Sequence, residues 1–397
     1  KDARAAGECF EVADKWGEQL LAANGSWPVP MHLHVRLLNL RNTNADALAR
    51  LECAFSLGDW LNYRLSGVRT TDPSQASSTG LYSLAGNGWC HELIDEMCLP
   101  RKAFPPIIPA GSPLGTLNGD AAQHLGLASG TTLTMGGADT QAALLGAGVI
   151  NAGTAAVVAG TTAPVQQVLD KPLHDSSGAM AAANHIIPGR WVLEGHCGAM
   201  GDSITTMARL LFADAAQPEL RLLAEAQQSE PGAAGILSTL GAEVMNMRAP
   251  TLPVGQISLS HMSLADEPAP RSHLARALVE GCACAVRANL NQLQECSGDL
   301  GEVSLVGGLS RSGFLGQLLA NVCARDIAVP DHFNTTGLGA AVCAGVGAGL
   351  FEDFDAACAA LVRPGQTYTP DATVTTANEQ LFATWERYRS AGETSTN

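Results

Sequence analysis

The sequence predicts an α/β protein made of two similar units facing one cleft, and three observations point there. Two glycine-punctuated segments stand out: Met135-Gly136-Gly137-Ala138-Asp139-Thr140-Gln141 and Leu305-Val306-Gly307-Gly308-Leu309-Ser310-Arg311-Ser312. Each follows a short run of strand character, 131–135 and 302–306, and each leads into an apolar stretch of helical character. Strand alternating with helix, with glycine at the strand ends, is the α/β pattern. At 397 residues, 46% apolar and 15% charged, the chain has material for two cores and is too apolar for disorder.

The elements follow in order. Phe10, Val12, Ala13, Leu20 and Leu21 recur at helical spacing and predict a helix over 8–22. Residues 36–65 read as two helices, the second holding Asp59-Trp60-Leu61-Asn62-Tyr63-Arg64-Leu65 and ended by Gly67. Thr70-Thr71-Asp72-Pro73-Ser74 reads as a turn, with Asp72 as its former. Pro- and Gly-rich connections fill 99–115 before the strand into Asp139. A strand from Thr154 then ends in Gly160-Thr161-Thr162. Another strand at 191–194 precedes a glycine-rich stretch at 195–201. A helix over 273–295 leads to the strand before Gly307. Beyond it come a helix at 312–324, a strand at 327–329, a helix at 338–349 and a polar helix after Thr376. The expected boundary near 146–153 gives a first domain of 1–150 and a second of 151–397.

Composition excludes several classes. A net charge of −15 disfavours nucleic acid, whose phosphates need stripes of Lys and Arg. With four lysines in the chain (Lys1, Lys15, Lys102, Lys171), a phosphorylated ligand has to be held mostly by amides, hydroxyls and a metal ion. The eleven cysteines are scattered through apolar segments and read as buried, reduced thiols of a cytoplasmic protein. Cys282 and Cys284 point to different sides of a helix, and His32-x-His34 has no third ligand at a recognisable spacing, so neither is assigned a metal. The apolar stretches 142–158 and 338–351 are cut by glycines and read as buried helix and strand, not as membrane spans.

No G-x-x-x-x-G-K-[ST] is present, so a P-loop is excluded. Gly345-x-Gly347-x-Gly349 has the wrong spacing for a dinucleotide fingerprint, and Ser310 and Ser312 form no nucleophile elbow. An acid at a strand end with repeated Gly/Thr/Ser turns suits phosphoryl transfer from a nucleotide, which is mainly positioning and electrostatic stabilisation. Asp139 is the candidate proton acceptor, and Gly160-Thr161 the candidate source of an amide and a hydroxyl.

Taken in order, these segments resemble the FGGY family of carbohydrate kinases. Gly136-Gly137-Ala138-Asp139-Thr140-Gln141-Ala142-Ala143 is similar to the family's catalytic-aspartate segment. Gly160-Thr161-Thr162 resembles its phosphate turn, and Gly307-Gly308-Leu309-Ser310-Arg311-Ser312 its adenosine turn. Asp59-Trp60-Leu61, Leu65-Ser66-Gly67 and Thr71-Asp72-Pro73-Ser74-Gln75-Ala76-Ser77 match its first domain. Leu274-Ala275-Arg276-Ala277-Leu278-Val279-Glu280-Gly281 and Gly337-Leu338-Gly339-Ala340-Ala341 match second-domain helices. The resemblance implies an actin/hexokinase-like fold, two ribonuclease-H-like domains flanking an ATP and sugar cleft. It implies Asp139 as general base and Mg²⁺ neighbour, and Thr140 and Gln141 at the substrate. It also implies Gly160, Thr161, Gly201, Thr205, Gly307, Gly308 and Ser312 at the nucleotide. The expected partners are ATP, Mg²⁺ and a small sugar, with a homodimer open and neither nucleic acid nor membrane.

Three departures go with it. The family's opening strand with its Asp-x-Gly-Thr loop has no counterpart, and Asp2-Ala3-Arg4 resembles a signature that normally lies deeper in the protein. Residues 1–397 alone are therefore expected to be inactive and prone to self-associate. Val35-Arg36-Leu37-Leu38-Asn39-Leu40 replaces a usual Lys and Trp, and Gly241-Ala242-Glu243-Val244-Met245-Asn246 stands where xylulose kinases tend to have Gly-Glu-Arg-Thr-Pro. The favoured acceptor is a xylulose-like ketose. The alternatives are autoinducer-2, a linear dihydroxypentanedione, and a non-catalytic actin-fold protein that binds nucleotide or sugar.

Overall fold

The computed structural model describes residues 4–85, 88–249, 259–260 and 270–394, so Asp2 and Ala3 lie outside the described residues. The first half is mostly helical. Ala6–Asn24 covers the expected first helix and ends at Gly25 in the left-handed region. The stretch read as two helices forms three: Leu33–Thr43, Ala45–Ala49 and Leu57–Ser66. The extra break comes at Asn44, whose side chain accepts from Ala47 N and restarts the helix there. Gly67, with φ of 79°, ends the third helix as expected. Asp72 does more than form a turn: it caps the short helix Pro73–Ser77, with proline in its first turn. Strands β1 (Pro113–Thr116) and β2 (Thr132–Thr134) make an antiparallel ribbon that feeds the helix Asp139–Gly146.

The second half is built on a mixed seven-stranded sheet. Its strands are β3 (Ala155–Val158), β4 (Pro164–Leu169), β5 (Ala181–Asn184) and β6 (Trp191–His196), followed later in the chain by three more. Between the two groups, β7 (Leu237–Ser238) and β8 (Leu259–Ser260) pair as a separate short ribbon. The last three strands are β9 (Val303–Val306), β10 (Ile327–Val329) and β11 (Gln366–Tyr368). The order is β11-β10-β9-β3-β4-β6-β5, with β9 parallel to both β3 and β10 and the other neighbours antiparallel.

The largest apolar core packs this sheet against the helices Met200–Leu211, Arg271–Ser297 and Gly313–Cys323. Cys282 and Cys284 are buried on the second of these, and burial pushes the Cys282 thiol up to about 12. His32 and His34 are also buried, and desolvation lowers them to about 3 and about 4, which keeps both rings neutral. Among the described residues no three His, Cys, Asp or Glu side chains group as metal ligands, and no helix is long and apolar enough to cross a membrane.

One crossing ties the halves together. The helix Asp139–Gly146 meets Thr335–Gly347 with almost no side chain between them. A Cβ on Gly146 would fall on the Thr335 carbonyl, and one on Gly339 on the Ala142 carbonyl. The helix that begins at Asp139 is therefore seated, backbone on backbone, against the second half.

Candidate active site

β3 and β9 are parallel neighbours with Val157 opposite Leu305 and Val158 opposite Val306, so both following turns leave the sheet at one end. They touch there. Ala159 N donates to Val306 O at 2.8 Å, and Leu309 N donates to Ala159 O at 3.2 Å. Gly307, with φ of 93°, lies so close that a Cβ would sit 2.6 Å from Ala159 O. Its neighbour Gly308 differs: a Cβ there would meet nothing within 4 Å. Gly307 is thus required by the packing of the two turns, while Gly308 faces open space.

The helix Met200–Leu211 starts against the same turn. Gly201 N and Asp202 N donate to Thr161 O at 3.1 and 3.2 Å, and a Cβ on Gly201 would fall on the Gly160 carbonyl. Thr205 follows one turn along that helix and is half-buried. Ser312 caps the helix Gly313–Cys323, its Oγ accepting from Leu315 N at 3.3 Å. The structure thus gathers Gly160, Thr161, Gly201, Gly307 and Gly308 around one end of the sheet.

Asp139 is the first residue of its helix and is exposed, and its Oδ1 accepts from Thr140 N at 2.8 Å. Behind it runs a polar chain. Gln166 on β4 donates its amide to Thr140 Oγ1 at 3.4 Å and to the Glu194 carboxylate on β6. Thr140 in turn donates to Gln141 Oε1 at 2.9 Å. Gln141 is buried, so it supports Thr140 from behind. Burial pushes the Glu194 carboxyl up; the Gln166 bond opposes that, and the nearby Asp139 charge adds to it. Gln166 Oε1 is buried with no protein partner.

Glu194 and Gln166 are the site residues that sequence reasoning missed. The strand at 191–194 was legible, but Val192 and Leu193 are both fully buried, so alternation does not reveal which way Glu194 faces. Nothing local links it to Gln166 on the neighbouring strand.

A side chain at Gly308 would project into the open space at the turn. With the nucleotide at this turn, as the family resemblance implies, Gly308→Val is expected to raise the ATP KM about tenfold or more while the acceptor KM stays within about twofold. Steady-state kinetics in both substrates check this, and equal changes in the two constants would point to a folding defect.

Comparison with known proteins shows the family. Residues 1–146 match the FGGY family of carbohydrate kinases, N-terminal domain, and residues 149–348 match its C-terminal domain. The autoinducer-2 kinase of Escherichia coli strain K12 is 31% identical over 389 residues, covering 93% of this chain and 72% of that protein. That of Yersinia enterocolitica is 30% identical over 393 residues, with the same coverages. Among solved structures, the ligand-bound xylulose kinase of Lactobacillus acidophilus superposes with a TM-score of 0.85 at 21% identity. The match covers 98% of this chain and 78% of that one. Plasmodium falciparum glycerol kinase with ADP gives 0.83 at 18% identity over 98% and 78%. Such likenesses show the fold, which is actin/hexokinase-like. With both domain signatures in order and nearly the whole length aligned, the chain belongs to the FGGY family of carbohydrate kinases.

Proposed function

We propose that the protein transfers the γ-phosphate of ATP to a hydroxyl of autoinducer-2, a linear dihydroxypentanedione, with Asp139 as general base. The family implies ATP and a sugar-like acceptor. The observation behind the base assignment is the exposed Asp139 carboxylate at a helix start, on the glycine turn and backed by the Thr140–Gln166–Glu194 chain. Asp139 accepts the acceptor's hydroxyl proton as that oxygen bonds to the γ-phosphorus, and the bond to the bridging oxygen breaks to leave ADP. Thr161 and the amides around Gly160 and Gly308 line the nucleotide side.

The donor set near Asp139 fits Mg²⁺. A hard cation takes oxygen ligands, and the Asp139 carboxylate, the Glu194 carboxylate and the unpartnered Gln166 Oε1 are oxygens. When bound, the ion neutralises phosphate charge. Asp139 is the group that would hold it, and Glu194 with Gln166 would support it from behind.

The sequence alone favours a ketose. Identity of 30–31% to autoinducer-2 kinases over 93% of the chain shifts the proposal to the linear acceptor. The test compares kcat/KM for dihydroxypentanedione and xylulose in the full-length protein. A preference for the linear acceptor of about tenfold or more is expected. A preference for xylulose would restore the ketose reading. No transfer to either, with ATP binding intact, would favour a binding protein.

A further inference from the structure

We propose that Ser74, oriented by Asp72, is a positioning residue that holds the turn carrying Asp139. The proposal rests on Asp139 being the base. Ser74 and Asp72 are 1% and 0% exposed, and they come from a part of the chain distant from the catalytic turn. Ser74 Oγ donates its proton to Asp72 Oδ2 at 2.6 Å. A serine hydroxyl has a single proton, so toward any other partner this oxygen can only accept. The partner it meets is the backbone N–H of Ala138, at 2.8 Å, one residue before Asp139.

Ala138 is the N-cap of the Asp139 helix, in extended geometry, and has no side chain with which to cap. Ser74 reaches that cap residue from a different segment. Ile186 packs against the same face: a Cβ on Gly137 would collide with the Ile186 side chain and lie 2.8 Å from Ser74 Oγ. The glycine turn therefore lies close against the Ser74 hydroxyl and Ile186, with no room on that face for a side chain.

The buried carboxylate is itself fixed. Asp72 Oδ2 also accepts from Ser74 N at 2.8 Å, and Oδ1 accepts from Gln75 N at 3.1 Å. Capping of the Pro73–Ser77 helix needs those two amides and not the Ser74 hydroxyl. The hydroxyl's bond to Ala138 is additional to the cap, and it links the first-domain segment 71–77 to the catalytic turn. Because a base displaced by about 1 Å can lose about 10²-fold in rate, such a contact matters for turnover more than for folding.

The test has two arms. In the full-length protein, hydrogen exchange of residues 135–142 is compared for wild type, Ser74→Ala and Ser74→Thr. Ser74→Ala is expected to speed Ala138 exchange about tenfold or more, and Ser74→Thr, which keeps the hydroxyl, to restore protection. In the full-length protein, Ser74→Ala is expected to lower kcat about 10–10²-fold with the ATP KM within about twofold. Placed on Asp139→Asn it should cost nothing further, because it acts only through that carboxylate. Unchanged Ala138 exchange in Ser74→Ala would overturn the proposal. So would an undiminished loss in the Asp139→Asn background. Faster exchange in a protein whose wild type transfers no phosphate supports the contact and overturns instead the reading of Asp139 as base.

Discussion

Asp139→Asn is expected to lower kcat for acceptor phosphorylation by about 10²–10⁴-fold while leaving ATP affinity within about twofold. The substitution removes the proton acceptor, and with it the carboxylate charge that would help hold Mg²⁺, but keeps the local hydrogen bonds. Asp139 is exposed at the head of its helix, and the bond its carboxylate accepts from Thr140 N can equally be accepted by the asparagine carbonyl. The turns at Gly160 and Gly308, proposed to meet the nucleotide, belong to other strands and should not respond. Steady-state kinetics and calorimetric titration of ATP separate the two effects. If the variant keeps more than about a tenth of wild-type turnover, Asp139 is not the base.

Gly146→Val and Gly339→Val are each expected to destabilise the fold by about 3 kcal/mol or more. At both sites a Cβ would fall on a backbone carbonyl of the facing helix, Thr335 O or Ala142 O. Backbone cannot rotate away as a flexible side chain can, so the helices must separate along their crossing. That separation also tilts the helix headed by Asp139. Gly308→Val is the matched control, since a Cβ there meets nothing within 4 Å. Urea unfolding followed by circular dichroism should show lower midpoints for the first two variants and an unchanged one for the control. Midpoints equal to wild type in all three would mean that the two helices do not cross backbone on backbone.

What the sequence made legible was whatever is local in the chain. Gly136-Gly137 before Asp139 and Gly307-Gly308 after β9 announce themselves by adjacency: a short apolar run, glycines, then a helical stretch. The strand Ile327–Val329 was readable for the same reason, and Arg271–Ser297 from its length. Tertiary partnership was not readable. Pro164–Leu169 is buried at every position, two glutamines included, and shows no alternation to betray a strand. Glu194 acquires meaning through Gln166, and Ser74 through Ala138, across distances that no spacing rule spans. Asp72 is the instructive case. Its helix-starting chemistry is visible in Thr71-Asp72-Pro73, but that chemistry says nothing of the carboxylate's being fully buried, and desolvation raises it to about 6. Glycines divide in the same way. Sequence cannot tell Gly307, which is required by contact with Ala159, from Gly308, which is open.

The most direct measurement follows the label from [γ-³²P]ATP in a single turnover of the full-length protein with dihydroxypentanedione or xylulose present. Label is expected in a phosphate ester of the acceptor, and to be lost in Asp139→Asn with ATP still bound. Label found only in inorganic phosphate, or ATP bound and never consumed, would contradict this expectation.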